Sequence, residues 1–210
     1  MNTNRGLFIT GIGTGVGKTV VSAVLAQHFQ ADYWKPIQSG DLLRTDSMII
    51  GELIDSHLHI YPERFRFRLP VSPHQAAAAE NTAMRLGDFE LPDTARPLVV
   101  EGAGGLFVPV NDHHFIIDLI AQLKLSTVLV VRDYLGCINH TLLSIHALQS
   151  RCIPIAYVVF NGPFNPATRA ILEKHTPADT RVIELPEMAP LTREVIYSVA
   201  REISRKTRAD

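Results

Sequence analysis

From position 10 to 19 the chain reads Thr-Gly-Ile-Gly-Thr-Gly-Val-Gly-Lys-Thr, a run of residue types suited to holding phosphate. Glycines at alternate positions let successive backbone N–H groups turn toward one anion, and a helix N-terminus behind them adds partial positive charge. Lys18 is placed to neutralise the outer phosphates. Thr19 offers a hydroxyl of the kind that ligates Mg²⁺ beside a nucleotide. The strict pattern G-x-x-x-x-G-K-[ST] would put glycine at Ile12, so the loop is a variant, one residue longer when counted from Gly11. The competing reading is a strand-to-helix turn that merely tolerates glycine. The apolar run Leu7-Phe8-Ile9 before it, the helical pattern Val20 to Ala26 after it and the Gly17-Lys18-Thr19 ending favour nucleotide binding.

Other groups of matching chemistry follow. Residues 31–35 read as a short strand stopped by Pro36, and ligands of parallel α/β sheets lie beyond strand carboxyl ends. Lys35 is therefore placed to meet transferring phosphate or an anionic intermediate, the alternative being a surface lysine before a turn. Thr45-Asp46-Ser47 opens a helical run through Met48, Ile49, Leu53 and Ile54; Asp46 is either its cap or a metal-directed carboxylate. In Leu98-Val99-Val100-Glu101-Gly102 an apolar strand delivers Glu101 to its carboxyl end ahead of glycines, the logic of a Walker B segment. Glu101 is the candidate second carboxylate, ahead of Asp133, which reads as a turn residue.

Gly136-Cys137-Ile138-Asn139-His140 sits at another strand-to-helix turn, whose amides suit a carboxylate. Asn161 ends a buried strand over 155–160, and its amide has the donor and acceptor for a base edge or for a turn. His57 and His59 lack the second ligand pair of a zinc site.

These residues need a scaffold, and 210 residues with 46% hydrophobic content suffice for one well-buried core. The expectation is a single α/β domain over 1–210 with a mostly parallel sheet flanked by helices on both faces. Further elements are a first helix ending near Phe29, irregular chain from 55 to 87, a helix over 75–80, a helix with Phe115 and Leu119 capped by Asn111 or Asp112, a strand over 182–186 and a terminal helix over 191–205. A net charge of −1 with scattered Lys and Arg argues against a nucleic-acid partner. The basic cluster at Arg201 and Lys206 reads as a solvated helix end. Two cysteines, Cys137 and Cys152, point to a reducing compartment. The N-terminus lacks the build of a signal peptide, and no apolar run approaches the ~20 residues that span a bilayer. A cytoplasmic protein without a membrane partner is expected.

Taken together, the loop from Gly11 to Thr19, Lys35-Pro36 with Ser39-Gly40, Ser72-Pro73-His74, Glu101 to Gly105, Gly136 to His140 and Asn161 resemble dethiobiotin synthetase, a family with the P-loop NTPase fold. The longer loop is itself typical of that family; residues 55–67 and the C-terminal end carry no matching motif. The resemblance implies an ATP-dependent ligase that converts 7,8-diaminononanoate and CO₂ into dethiobiotin, ADP and phosphate. It proceeds through a carbamate and a carbamic-phosphoric anhydride. Lys18 would hold the β and γ phosphates within the loop of Gly13, Thr14, Gly15, Val16, Gly17 and Val20, while Thr19, Asp46 and Glu101 surround Mg²⁺. Lys35 would face the carbamate and γ-phosphate, with Thr14 and Ser39 nearby. Asn161 would read the adenine, with the base-binding loop near residues 185–191. The family also implies a homodimer whose substrate carboxylate is bound by the partner's backbone amides, here those of Gly136, Cys137 and Asn139. Some members carry glutamate where this chain has Gly15, and any contact made by that carboxylate is missing. The alternative is a partition-type P-loop switch that binds DNA, membrane or a partner protein; its usual lysine at the position of Gly13 is absent.

Overall fold

The computed structural model describes residues 6–206; residues 1–5, the side chains of residues 204–206 and residues 207–210 lie outside what is described, and with them the leader expectation and the Lys206 part of the basic cluster. The chain begins with β1 (Leu7–Gly11), buried throughout, and the glycine-rich loop leads into α1 (Lys18–Phe29). Two short strands, β2 (Asp32–Trp34) and β3 (Ile37–Ser39), precede α2 (Asp46–Leu53). Then come β4 (Ile60–Tyr61), β5 (Phe65–Phe67) and α3 (Pro73–Ala79). The second half alternates regularly: β6 (Leu98–Gly105), α4 (Ile116–Leu123), β7 (Ser126–Val131), α5 (Cys137–Ser150), β8 (Ile155–Asn161), α6 (Pro166–His175), β9 (Arg181–Leu185) and α7 (Arg193–Lys206).

Seven strands form one parallel sheet in the order β4-β2-β6-β1-β7-β8-β9. Strands covered on both faces need unbroken apolar runs, and Val128 to Val131 in β7 are wholly buried. Each such side chain contributes about 1.5–3 kcal/mol. Helices flank the sheet in groups: α1 packs on α7 and α2, while α5 packs on α6. Among the described residues no helix is long and apolar enough to cross a membrane.

A second, two-stranded parallel sheet pairs β3 with β5, Ser39 lying opposite Phe67. Its β5 falls within the 55–87 stretch expected to be irregular and its β3 in the exit after Pro36, because three-residue strands carry too little alternation to read. Gly40 has φ +75° and packs so tightly on Pro70 that a Cβ would lie 2.5 Å from the proline side chain. Ser39 and the segment 70–73 line the same cleft.

Several local expectations need correction. Neither Asn111 nor Asp112 caps α4; the cap is Phe115, whose N–H donates to Asp118 Oδ2 at 2.7 Å, and the Asn111 side chain instead accepts from the N–H groups of His113 and His114 in the turn before it. The helix expected over 75–80 starts at Pro73, which suits the first helical position because it has no N–H to lose. β6 does not end at Glu101 but runs on through the glycines to Gly105. Outside these corrections, the His57 ring bonds the Gln30 side chain.

Candidate active site

The loop between β1 and α1 is tied down at both ends. Ile12 N–H donates to Val130 O of β7 at 3.1 Å, and the amide of Asn161, at the end of β8, donates to Val16 O at 2.9 Å. Gly17 caps α1 with φ +89°, and a Cβ there would lie 2.1 Å from Asn161 Nδ2, so only glycine fits. No side chain caps α1, and its first turn has no acidic residue. Its free N–H groups are left for an anion.

Lys18 folds back over the loop, its Nζ 3.2 Å from Gly13 O. Burial pulls its pKa down to about 8; Glu101 and Asp46 oppose that pull, and Lys35 adds to it.

At Thr19, the residue after Lys18, the carboxylates meet. Thr45, not Asp46, caps α2 by accepting from Met48 N–H at 3.2 Å, which leaves the Asp46 carboxylate available to the site. Thr19 Oγ1 lies 2.8 Å from Asp46 Oδ1 and 3.0 Å from Glu101 Oε1. Lys35 Nζ lies 2.8 Å from Asp46 Oδ2 and 3.0 Å from Glu101 Oε1. Burial pulls the Lys35 pKa down, but the charges of Glu101 and Asp46 with their hydrogen bonds outweigh it and hold the ammonium above its ordinary range. Burial likewise raises Asp46, and Lys35, Thr19 and Lys18 overcome it to leave the carboxyl below its ordinary value. A hydroxyl with two carboxylates is an all-oxygen donor set, which suits a hard divalent cation such as Mg²⁺.

Lys18, Thr19, Lys35, Asp46 and Glu101 line a cleft of about 690 Å³ that also takes in Thr14, Gly15, Gly17, Val20 and Ser39. Ser39 Oγ is buried and has no hydrogen-bond partner among the described residues, a costly state for a hydroxyl unless a ligand meets it.

The family described as "AAA domain" matches residues 5–195. The chain is 48% identical over 169 residues to a protein of Paramagnetospirillum magneticum named ATP-dependent dethiobiotin synthetase, covering 80% of this chain and 82% of the relative. A protein of Cytophaga hutchinsonii with the same name is 45% identical over 195 residues, covering 92% and 94%. The chain belongs to the dethiobiotin synthetase family. Among solved structures, a plasmid partition protein from Borrelia burgdorferi bound to AMPPNP aligns with TM-score 0.58 over 97% of this chain and 99% of its own, at 12% identity. That likeness shows the P-loop NTPase fold alone. The partition-type switch thus shares the architecture, while the close sequence likeness falls on the synthetases.

In this member of the family Thr14, Gly15, Gly17, Lys18, Thr19, Val20, Lys35, Ser39, Asp46 and Glu101 line one cleft, whereas Gly13 and the buried Val16 do not, and two further expected groups stand apart. Gly136, Cys137 and Asn139 line a separate concavity of about 1060 Å³ at the N-terminus of α5, outside the cleft. Asn161 is 4% exposed and lies under the loop with Nδ2 committed to Val16. Asp133 is the turn residue expected, accepting from Asn165 N–H at 2.7 Å.

Two contributors, Tyr33 and Gln38, escaped the sequence reading, and Leu191, at the end of the loop expected to bind the base, joins them at the site. Tyr33 donates to Glu101 Oε2 at 3.0 Å; Gln38 bridges Gly40 O at 3.0 Å and Asp46 N–H at 3.4 Å; Leu191 reaches the cleft from beyond β9. For Tyr33 a signal existed: it stands two positions before Lys35, and the period of 2 puts both on one face of the strand.

Proposed function

We propose that this member of the dethiobiotin synthetase family, an ATP-dependent ligase of biotin biosynthesis, carries out phosphoryl transfer and ring closure in the cleft between the glycine-rich loop and Lys35. Residues 1–210 serve as one domain in this activity. The observation that carries it is the convergence of Lys18, Thr19, Lys35, Asp46 and Glu101 on one cleft. No side chain there serves as a covalent nucleophile, and none is needed. One amine of 7,8-diaminononanoate takes up CO₂ as a carbamate, whose oxygen attacks the γ-phosphorus of ATP and expels ADP. The second amine then attacks the carbonyl of the mixed anhydride, closing the ureido ring and releasing phosphate.

The loop amides and Lys18 bind the β and γ phosphates. Lys35 is held charged and meets the negative charge that builds on the carbamate and transferring phosphoryl group, a role worth most in a water-poor site. Thr14 and the unpartnered hydroxyl of Ser39 bind substrate beside it. Thr19, Asp46 and Glu101 are the residues that would hold Mg²⁺, which when bound neutralises phosphate charge. Asn161 Oδ1 accepts from the adenine amine.

The α5 concavity supports a homodimer. Tyr134, Leu135 and Ile138 are exposed around it, and Leu135 is wholly so. Clustered apolar exposure of this kind marks an association surface. In the dimer the amides of Gly136, Cys137 and Asn139 bind the carboxylate of the substrate held by the other protomer.

The reaction path makes an isotopic test. With C¹⁸O₂ supplied and turnover completed before the label exchanges with water, one labelled oxygen passes from carbamate to released phosphate. Unlabelled phosphate would place the attack on water and overturn the path.

A further inference from the structure

We infer that Tyr33, which does not line the cleft, is a positioning residue that fixes how Glu101 faces the metal. The inference rests on the proposed metal role of Thr19, Asp46 and Glu101. Tyr33 is wholly buried, and its hydroxyl donates to Glu101 Oε2 at 3.0 Å. The strands dictate this contact. β2 runs parallel to β6 with Tyr33 opposite Val99, two residues before Glu101. Alternate residues share a face, and side chains lean along the strand direction, so the ring reaches forward to the carboxylate. A phenylalanine would fill the same space; the hydroxyl serves the carboxylate.

The consequence is a division of labour between the two oxygens of Glu101. Oε2 is held by Tyr33, and Oε1 is turned toward Thr19 and Lys35 at 3.0 Å each. The terminal torsion of a glutamate is broad and roughly two-fold, so packing alone does not select one orientation. Tyr33 selects it. Glu101 is 1% exposed, so bulk water has little access to Oε2 should the hydroxyl be lost. Hydrogen bonds to the far side of a metal-binding carboxylate commonly change metal affinity by about 10–100-fold.

The test is Mn²⁺ binding to Tyr33→Phe with ADP present, read from the electron paramagnetic resonance of free Mn²⁺, alongside ADP binding in EDTA. The expected result is Mn²⁺ affinity weakened by about 10–100-fold with metal-free ADP affinity unchanged. A folded Tyr33→Phe protein with parental Mn²⁺ affinity overturns the inference. Should the single variant fail to fold, Tyr33→Phe combined with Glu101→Gln decides the matter. Recovery of folding in that pair supports a hydroxyl committed to the Glu101 charge; continued failure assigns Tyr33 to packing alone and overturns the inference. Glu101→Gln by itself separates the two levels. Loss of Mn²⁺ binding there upholds the metal reading whatever Tyr33→Phe does, whereas unchanged binding removes the metal reading and the Tyr33 role with it.

Discussion

Lys35 Nζ lies 3.0 Å from Glu101 Oε1, and both side chains are sealed from solvent, at 7% and 1% exposure. A buried pair of this kind does little for stability compared with apolar packing, yet removing one member strands the other. With Asp46 as the third member, the arrangement keeps a cation charged at the place where phosphoryl charge must be met. Lys18, next to it, is shifted the opposite way.

Lys35→Ala should lower kcat by about 10²–10³-fold while changing nucleotide affinity far less, because the ammonium acts on charge that develops during transfer. The same change leaves Asp46 and Glu101 without their cation and should cost about 3–5 kcal/mol of stability. Steady-state kinetics with ADP calorimetry and thermal unfolding check both halves; parental kcat removes Lys35 from the mechanism.

The Lys18 pKa of about 8 has a readable sign. The unfolded lysine titrates near about 10.4, so between about pH 8 and 10.4 the unfolded chain binds more protons and stability rises with pH. Below that window the buried ammonium is a cost. Phosphate restores the charged form, so ADP binding at about pH 8.5 should take up protons, more than at about pH 7. Calorimetry in buffers of different ionisation enthalpy measures this, and a buffer-independent heat at the higher pH counts against it.

Gly17→Ala should weaken ADP binding about tenfold or more, since its Cβ would meet Asn161 Nδ2 at 2.1 Å and its φ of +89° strains any L side chain. Gly15→Ala carries comparable strain at φ +75° but meets no atom within 4 Å, so its effect on ADP affinity should be much smaller. Equal losses in the two variants would show that backbone strain, not the brace of the loop by Asn161, is what matters.

If the partner supplies the amides of Gly136, Cys137 and Asn139, specific activity should fall on dilution through the dimer dissociation constant. Leu135→Asp should shift that fall to higher protein concentration, because Leu135 is wholly exposed beside these amides. Activity proportional to concentration well below a measured dissociation constant would exclude shared sites.

Local signals were the readable ones. The loop from Gly11 to Thr19, the apolar strands and Glu101 declare themselves through spacing alone. Asp46 did not, because Thr45, Asp46 and Ser47 are all capping types; only the bond from Met48 N–H to Thr45 shows which residue caps and which is left for the site. Tyr33 stayed hidden because its partner is 68 positions away. α6 was legible in principle, since Asn165 accepts from Ala167 N–H and Pro166 takes the first helical position. The β3-β5 pair was not, since neither strand is long enough to show a period.

The most direct test of the whole account is phosphate release from MgATP and bicarbonate with and without 7,8-diaminononanoate, with mass spectrometry of the product. Release that depends on the diamine, matched by a product of the cyclic urea mass, is expected. Hydrolysis that ignores the diamine and yields no such product would contradict the account.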